Sequence, residues 1–176
     1  MSELSGYELI AAFQAGQTNF AGAHLQGINL RGAHLNGVNF DGADLREADL
    51  SGASLFEASL RGALLNRAHL GILYDPASDP NLDEVDLELS CTDLCQADLT
   101  GAFLTEARMY RANLHGANLS HADLRGALMR EVNLTSAILE ATNLENADLT
   151  GARVDEDSLA HAQITGAVLK ELTFTD

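Results

Sequence analysis

The chain has 176 residues, of which 26 are Asp or Glu and 10 are Lys or Arg, and its formal net charge at pH 7 is −16. This charge argues against direct binding of nucleic acids, because proteins that bind phosphates present a basic face. A basic protein partner stays possible. No segment approaches the roughly 18 apolar residues of a membrane span, and residues 1–16 do not resemble a secretory signal. Two cysteines are too few for a disulfide framework, so we expect a cytoplasmic protein with no membrane attachment.

The first predicted element is a short helix at the N-terminus. Ser5 and Glu8 have the spacing of a capping box, Leu9 and Phe13 lie on one helical face, and Gly16 is a typical residue to end a helix. Because so short a helix is only marginally stable alone, we expect it to pack on the end of the structure that follows.

After this helix, an apolar residue returns at every fifth position. These central residues run from Phe20 to Leu70 and again from Leu94 to Leu149, and alanine stands two residues before most of them. A period of five matches neither the 3.6 residues of a helical turn nor the alternation of a strand. It indicates an internal repeat. If each side of a four-sided coil takes five residues, one coil takes about 20, and the central residue and the alanine point inward.

Two outward positions of the repeat support this coil. Glycine is frequent two residues after the central residue, where a tight corner requires it. Asp or Asn is frequent directly before the central residue, where its side chain can accept a hydrogen bond from its own turn. We therefore interpret these carboxylates as structural. Burial of each leucine contributes about 1.5–3 kcal/mol, and the coils must stack because one coil cannot bury its own top and bottom.

The motif Ala-(Asp/Asn)-Leu recurs at 43–45, 48–50, 97–99, 112–114, 117–119, 122–124 and 147–149. The chain resembles the pentapeptide-repeat family on this motif, over residues 19–169 apart from one interruption, and it is most similar to the alanine-rich members common in cyanobacteria. The resemblance implies an all-β fold, a right-handed quadrilateral β-helix. We expect about seven coils, an N-terminal capping helix and one central loop insertion.

The interruption lies between Leu70 and Leu94, which are not separated by a multiple of five. It contains both prolines of the chain, which cannot donate to a ladder of hydrogen bonds. We expect Leu82 and Leu87 to carry one or two irregular sides before the period resumes. The predicted divisions are a capping helix (1–16), repeat coils (17–70), an irregular acidic insertion (71–91), repeat coils (92–154) and a C-terminal cap (155–176).

The pattern weakens near the C-terminus, where Asp157 takes the place of an alanine. We expect a short helix near 155–162, followed by one last degenerate side through Ile164 and Leu169. Because an uncovered end favours association of one end with another, the chain is predicted to be a monomer or an end-to-end homodimer.

The insertion is the strongest candidate for a functional site. Residues 71 to 107 contain nine Asp or Glu and no Lys or Arg, and we propose that the insertion docks a basic protein partner. Two other interpretations are a solvated insertion and a divalent cation site, although the sequence does not match an EF-hand loop. The candidate partner-binding residues are Asp75, Asp79, Asp83, Glu84, Asp86 and Glu88.

Elsewhere the acids are interspersed with arginines. A stacking distance of 20 residues would pair Glu47 with Arg67, Arg111 with Glu131, and Arg125 with Glu145. Exposed pairs of this kind contribute at most about 1 kcal/mol each.

No catalytic chemistry is evident in the sequence. It has no nucleophile elbow, zinc-protease, P-loop or dinucleotide motif, and the histidines are scattered, with His24 and His34 expected on opposite faces. We predict no enzymatic activity, no cofactor, and no catalytic or metal-binding residue. The predicted function is that of a protein-binding or scaffold solenoid with an unidentified protein partner. The resemblance implies an alternative, a DNA-mimic inhibitor or protector of a type II topoisomerase such as gyrase.

Overall fold

A computed structural model of the chain describes residues 4–71 and 91–175. Its regular elements are helix α1 (Gly6–Gln14), strands β1 (Asn133–Leu134) and β2 (Arg153–Asp155), helix α2 (Glu156–Leu159) and strand β3 (Thr173–Thr175). β2 lies between β1 and β3, and both pairings are parallel. Most of the remaining described chain consists of turns joined by isolated parallel bridges.

These bridges define four faces of a stacked coil, as the repeat period predicts. Each residue that precedes a central residue pairs with the residue 20 positions later, except across the interruption and at the end of each face, which on face 1 is Ile138. Face 1 contains Asn19, Asn39, Ser59, Asp98, Asn118 and Ile138. Face 2 contains His24, Asp44, Leu64, Phe103, Asp123, Asn143 and Gln163. Face 3 contains Asn29, Asp49, His69, Arg108, Leu128, Asp148 and Val168. Face 4 contains His34, Ser54, Asp93, Asn113, Asn133, Arg153 and Thr173.

The core is a column of leucine and alanine. The central residues from Leu25 to Leu149 and most residues two positions before them are almost completely buried. In the first two coils the ring centroids of Phe20 and Phe40 lie 5.9 Å apart. Thr92 takes an alanine position, and its hydroxyl donates to the carbonyl oxygen of Leu50 at 2.8 Å, so burial of the hydroxyl costs little.

Each corner consists of the two residues after a central residue, and it is named by the faces it joins, as in corner 3/4. The second of these two residues adopts a left-handed conformation, for example Gly62 with φ 61°. Glycine takes this conformation without steric cost. Among the described residues, twelve that are not glycine adopt it as well, for example Ala141 with φ 52°. Except at Asn146, whose short polar side chain favours this conformation, each of these corners carries a steric cost.

The Asp and Asn side chains directly before the central residues stabilise the turns. The Oδ1 atom of Asn39 accepts a hydrogen bond from the backbone N–H of Asp41 at 2.8 Å, and Asp98 accepts one from Thr100 at 3.0 Å. The same bond recurs along all four faces. The structural interpretation of these carboxylates is confirmed for the residues that make this bond.

Helix α1 lies on the first coil. Ser5 and Glu8 form the predicted capping box, and Leu9 is fully buried in the same cluster as the core leucines. A Cβ atom at Gly6 would overlap the carbonyl oxygen of Asn29, so only glycine permits this close approach.

The column continues directly across the interruption. Ser54 pairs with Asp93, and Leu64 pairs with Phe103, so partners on consecutive coils are here 39 residues apart in sequence. The four faces therefore keep their order from the coil before the interruption to the coil after it. The irregular sides predicted at Leu82 and Leu87 lie outside the described residues.

The C-terminal part differs from the expectation. The helix predicted near 155–162 is limited to Glu156–Leu159, and three sides follow it instead of one, at Gln163, at Val168 and in β3. Backbone pairing at a spacing of 20 residues maintains these sides even though their central positions are poorly buried. Ile164 is 37% exposed and Phe174 is 53% exposed.

The strained corners predict that glycine at position 141 stabilises the fold. Ala141→Gly should raise the free energy of unfolding by about 0.5–1 kcal/mol. The steric energy that glycine relieves in the folded corner is larger than the free-energy cost of the extra conformational entropy that glycine gives the unfolded chain. Gly101→Ala is the control, since Gly101 has φ 66° and free space around its Cα. It should destabilise by about 1 kcal/mol or more. Urea unfolding of the wild type and the two variants measures both changes. If Ala141→Gly and the wild type unfolded at the same urea concentration, the corner at Ala141 would not be strained.

Candidate protein-binding surfaces

The six candidate residues of the acidic insertion lie outside the described residues. They are Asp75, Asp79, Asp83, Glu84, Asp86 and Glu88, and their role stays a prediction. The structure does place both ends of this segment. Gly71 and Cys91 lie at corner 3/4, because Leu70 is the last central residue before the segment on face 3 and Asp93 follows it on face 4.

The surface at this corner is held together by hydrogen bonds. The Tyr110 hydroxyl donates to Oε1 of Glu131 at 2.6 Å, and Nε of Arg111 donates to Oε2 of Glu131 at 2.7 Å. This hydrogen bond raises the pKa of Arg111. A Cβ atom at Gly71 would lie 2.5 Å from the backbone N and O of Tyr110, so the backbone at Gly71 is in close contact with the next coil.

The basic residues are distributed unevenly around the column. Of the ten in the chain, eight lie on face 3 and its two corners. They are Arg31, Arg46, Arg67, Arg108, Arg111, Arg125, Arg130 and Lys170. Within residues 4–71 and 91–175, face 1 and corner 4/1 carry no Lys or Arg. These two sides of the column therefore present different charges to a partner.

Of the three ion pairs predicted from the 20-residue spacing, one is confirmed, between Arg111 and Glu131. The other two predictions are wrong. Arg67 pairs at 2.8 Å with Glu106, which stacks on it across the interruption, rather than with Glu47. Arg125 pairs at 2.7 Å with Asp123 of its own coil, rather than with Glu145, because a neighbour two residues away offers a two-pronged contact.

A groove that the sequence analysis missed lies where face 1 ends. It has a volume of about 390 Å³, and its lining includes Ile138, Glu140, Asp155, Asp157 and His161. Ile138 is 52% exposed. The one signal in the sequence is Asp157, which breaks the alanine pattern at this point and marks the loss of a side from face 1.

Histidine and cysteine form no evident reactive site. His24 and His34 lie on the opposite faces 2 and 4, as predicted. Among the described residues, no group of three or more His, Cys, Asp or Glu side chains could hold a metal ion. Cys91 and Cys95 are not disulfide-bonded, and burial raises the pKa of the Cys95 thiol. No helix in the described part of the chain is long and apolar enough to cross a membrane.

Comparison with protein families gives a match to the pentapeptide repeat model, with eight copies over residues 17–52, 88–126 and 127–155. The chain belongs to the pentapeptide repeat family. Pentapeptide repeat proteins fold as right-handed β-helices, in agreement with the predicted solenoid and with the parallel pairing of the coils. No curated protein is similar enough to count as a match.

Several solved pentapeptide repeat proteins are similar to this one. HetL, involved in heterocyst differentiation regulation in Nostoc sp. strain PCC 7120, is 31% identical, with 88% of this chain and 62% of HetL covered and a TM-score of 0.43. Rfr23 from Cyanothece 51142 is 21% identical, with 92% and 98% covered and a TM-score of 0.36. QnrB1, a plasmid-mediated fluoroquinolone resistance protein, is 16% identical, with 90% and 78% covered and a TM-score of 0.38. The chain thus spans less than two thirds of HetL.

Two Asp–Arg pairs on face 2 of this pentapeptide repeat protein have the same geometry. Arg46 donates two hydrogen bonds to Asp44, at 2.8 and 2.6 Å, and Arg125 donates two to Asp123, at 2.8 and 2.7 Å. These bonds lower the pKa of both carboxyl groups below the ordinary range. A carboxyl whose pKa is lowered by folding stabilises the protein above its unfolded pKa, about 3.9. That stabilisation is lost as the pH falls through the folded pKa.

Asp123→Asn isolates this effect, because the amide oxygen can still accept the turn hydrogen bond from the Arg125 backbone, 3.2 Å away. The variant should be less stable than the wild type at pH 7, by at most about 1 kcal/mol since Arg125 is exposed. The difference should vanish once the pH is below the lowered pKa. Thermal unfolding between pH 7 and pH 2 measures it. Glu145→Gln is the control, because it removes the same charge without removing a hydrogen bond of the described structure. If its stability relative to the wild type changed with pH in the same way, the Asp123–Arg125 pair would not be the cause.

Proposed function

We propose that this protein is a non-enzymatic binding or scaffold solenoid of the cytoplasm, and that its acidic segment at 71–91 docks a basic protein partner. The observation that carries the proposal is the charge imbalance of the sequence. Residues 71 to 107 hold nine acids and no Lys or Arg. Two of these acids, Asp98 and Glu106, pair with arginines of the preceding coil at 3.8 and 2.8 Å. Four further arginines of the described chain have carboxylate partners at 2.6 to 2.7 Å.

The repeat column supports a docking role because it is a firm base for the segment. Both ends of the segment are attached at corner 3/4, beside the hydrogen-bonded cluster of Tyr110, Arg111 and Glu131. Connecting segments between the elements of a rigid scaffold often carry binding residues. Attraction between an acidic segment and a basic partner accelerates association, and it weakens as salt is added.

A binding function also agrees with the family and with the composition of the column. Pentapeptide repeat proteins are generally structural or binding proteins rather than enzymes. Here the described interior is mainly Leu and Ala, which offer no group for acid–base or nucleophilic chemistry, and the buried hydroxyls of Thr92 and Thr142 donate to backbone carbonyl oxygens. The partner, and the choice between a monomer and an end-to-end homodimer, stay predictions.

The second candidate function is DNA mimicry, as an inhibitor or protector of gyrase. The net charge of −16 favours it, because a narrow, strongly acidic rod presents a field like that of duplex DNA. A supercoiling assay with purified gyrase, with and without a quinolone, separates the two candidates. Inhibition or protection at stoichiometric protein would favour mimicry, and the absence of both would exclude it.

The docking proposal is tested by removing four charges from the segment, with Asp79→Asn, Asp83→Asn, Glu84→Gln and Asp86→Asn in one protein. Affinity capture from a bacterial lysate, at low and at moderate salt, should yield a basic protein with the wild type and lose it with this variant. The expected loss of affinity is at least about tenfold, because several charges steer the same encounter.

The matched control removes four carboxylates from the described surface, with Glu47→Gln, Glu57→Gln, Glu145→Gln and Glu171→Gln. These side chains form none of the ion pairs of the described structure. The control has the same net charge as the segment variant and should capture the partner as the wild type does. If both variants lose it equally, net charge and not the segment explains binding, and the proposal fails.

A further inference from the structure

A groove runs along the column between face 3 and corner 2/3. Its volume is about 610 Å³, and its lining comes from four consecutive coils. One side is a row of residues on face 3, and the other is a row of second corner residues. The first row is His69, Arg108 and Leu128, and the second is Glu47, Arg67, Glu106 and Gly126. Because stacked coils lie about 4.8 Å apart, the groove is about 14 Å long, the length of four or five extended residues.

The guanidinium of Arg108 lies in this groove without a carboxylate. Six of the nine arginines of the chain form ion pairs, at 2.6 to 3.8 Å. Arg108 is exposed, and within the described part of the chain its side chain forms neither an ion pair nor a hydrogen bond. The residues stacked on it, His69 and Leu128, carry no negative charge. Arg108 can therefore donate two parallel hydrogen bonds to a carboxylate of a ligand.

The two carboxylates of the groove leave this position positive. Glu106, in the same coil as Arg108, pairs with Arg67 at 2.8 Å. Glu47 lies at the far end of the groove, two coils away, which is about 10 Å. The middle of the groove therefore attracts a negative group, although the chain as a whole is acidic.

The neighbours of Arg108 add a hydrogen-bond donor and an apolar contact. Nδ1 of His69 is buried and has no hydrogen-bond partner in the described structure. A ring proton on Nδ1 would have no acceptor, so the proton is more stable on Nε2, where it can be donated to a ligand. Leu128, on the other side of Arg108, is 48% exposed. Gly126 leaves the opposite row beside it without a side chain, so a ligand can reach Leu128.

We propose that this groove binds an extended segment of a partner protein in which an acidic side chain lies beside an apolar one. The carboxylate of the segment accepts hydrogen bonds from the Arg108 guanidinium and from Nε2 of His69, and the apolar side chain covers Leu128. Arginine is enriched at protein interfaces, and its two-pronged contact with a carboxylate is directional. The inference goes beyond the proposed function, because it uses no residue of the segment at 71–91 and its ligand has the opposite charge.

Charge and length select this occupant. A second copy of the chain has a net charge of −16 and would bring many carboxylates to one guanidinium, and like charges in contact oppose association. A basic segment would place its charge against Arg108. A short segment with one acidic and one apolar side chain supplies one carboxylate for one guanidinium and matches the length of the groove.

Three blocked pentapeptides test the ligand, by NMR titration that follows the side-chain signals of His69 and Arg108. The first has leucine at its first position, glutamate at its third and serine elsewhere, so that both side chains lie on one side of the extended peptide. The second has glutamine in place of glutamate, and the third has serine in place of leucine. Each is also made in reverse order, because the groove does not fix the direction of the chain.

The first peptide should shift both sets of signals and bind at least about threefold more tightly than the other two. The comparison with glutamine is strict, because the glutamine peptide is not repelled by the net charge of the protein. If the second peptide bound as tightly as the first, the ligand would not need an acidic residue. If the third did, it would not need an apolar one. Either result would overturn the proposal.

Two further measurements exclude other occupants. Blocked glutamate alone should bind at least about threefold more weakly than the first peptide, because it makes no contact with Leu128. Equal binding would indicate a site for a small carboxylate and would overturn the proposal. Sedimentation of the wild type should show no dimer that depends on Arg108. A dimer that Arg108→Gln abolishes would make a second copy the occupant and would also overturn it.

Variants locate the binding on the protein. Arg108→Gln should weaken the first peptide by about fivefold, through loss of the charged contact, and Leu128→Ala by about threefold. The matched controls, Arg153→Gln on face 4 and Ile138→Ala on face 1, change exposed residues at the same position of the repeat and should bind normally. If Arg153→Gln weakened binding as much as Arg108→Gln, net charge and not the groove would explain it, and the proposal would fail.

The variant that neutralises the segment at 71–91 separates this inference from the proposed function. It should bind the first peptide within about twofold of the wild type, because salt screens distant charges. Loss of the peptide would make the segment the site and would overturn this inference. Binding by this variant but not by the wild type would make the segment of the chain itself the occupant, and would also overturn it. If the variant binds the peptide and still captures the basic partner, only the proposed function fails.

Discussion

The structure depends on one constraint, the pairing of each backbone side with the side 20 residues later. This pairing satisfies the N–H and C=O groups that the coil cannot pair within itself. It places every central leucine above the previous one, so the core is a column instead of a sphere. It also decides what the surface can present, because outward residues of consecutive coils must lie in straight rows. The charge difference between face 3 and face 1 follows from this order.

The fold was largely predictable from the sequence, because a five-residue period has few physical solutions. The leucine and alanine positions identified the buried residues, and Ser5 and Glu8 identified the N-terminal helix. The ion pairs were less predictable. Arg67 has Glu106 as its partner only because the coils stack directly across the interruption, and no spacing in the sequence reveals that. Arg125 pairs with Asp123 of its own coil. The repeat places both Asp123 and Glu145 near it, and the side-chain rotamers decide between them.

The candidate binding surfaces also differ in how far the sequence predicts them. The acidic segment was recognisable from composition alone, because charge is visible without a structure. The groove beside Ile138 was not, because its lining combines residues of two coils that only the stacking brings together. The replacement of alanine by Asp157 signalled the break in the repeat, but the exposed apolar residue, Ile138, belongs to the coil below.

The change from 20 to 39 residues between stacked partners has a consequence for evolution. The entropy of closing a flexible loop grows only with the logarithm of its length, so each doubling costs about 0.6 kcal/mol. A coil that nearly doubles its length in this way keeps the pairing of the sides that flank the added residues. Insertion of residues at a corner therefore costs little free energy. Related solenoids can diverge by the corner at which they carry an insertion while they keep the same fold.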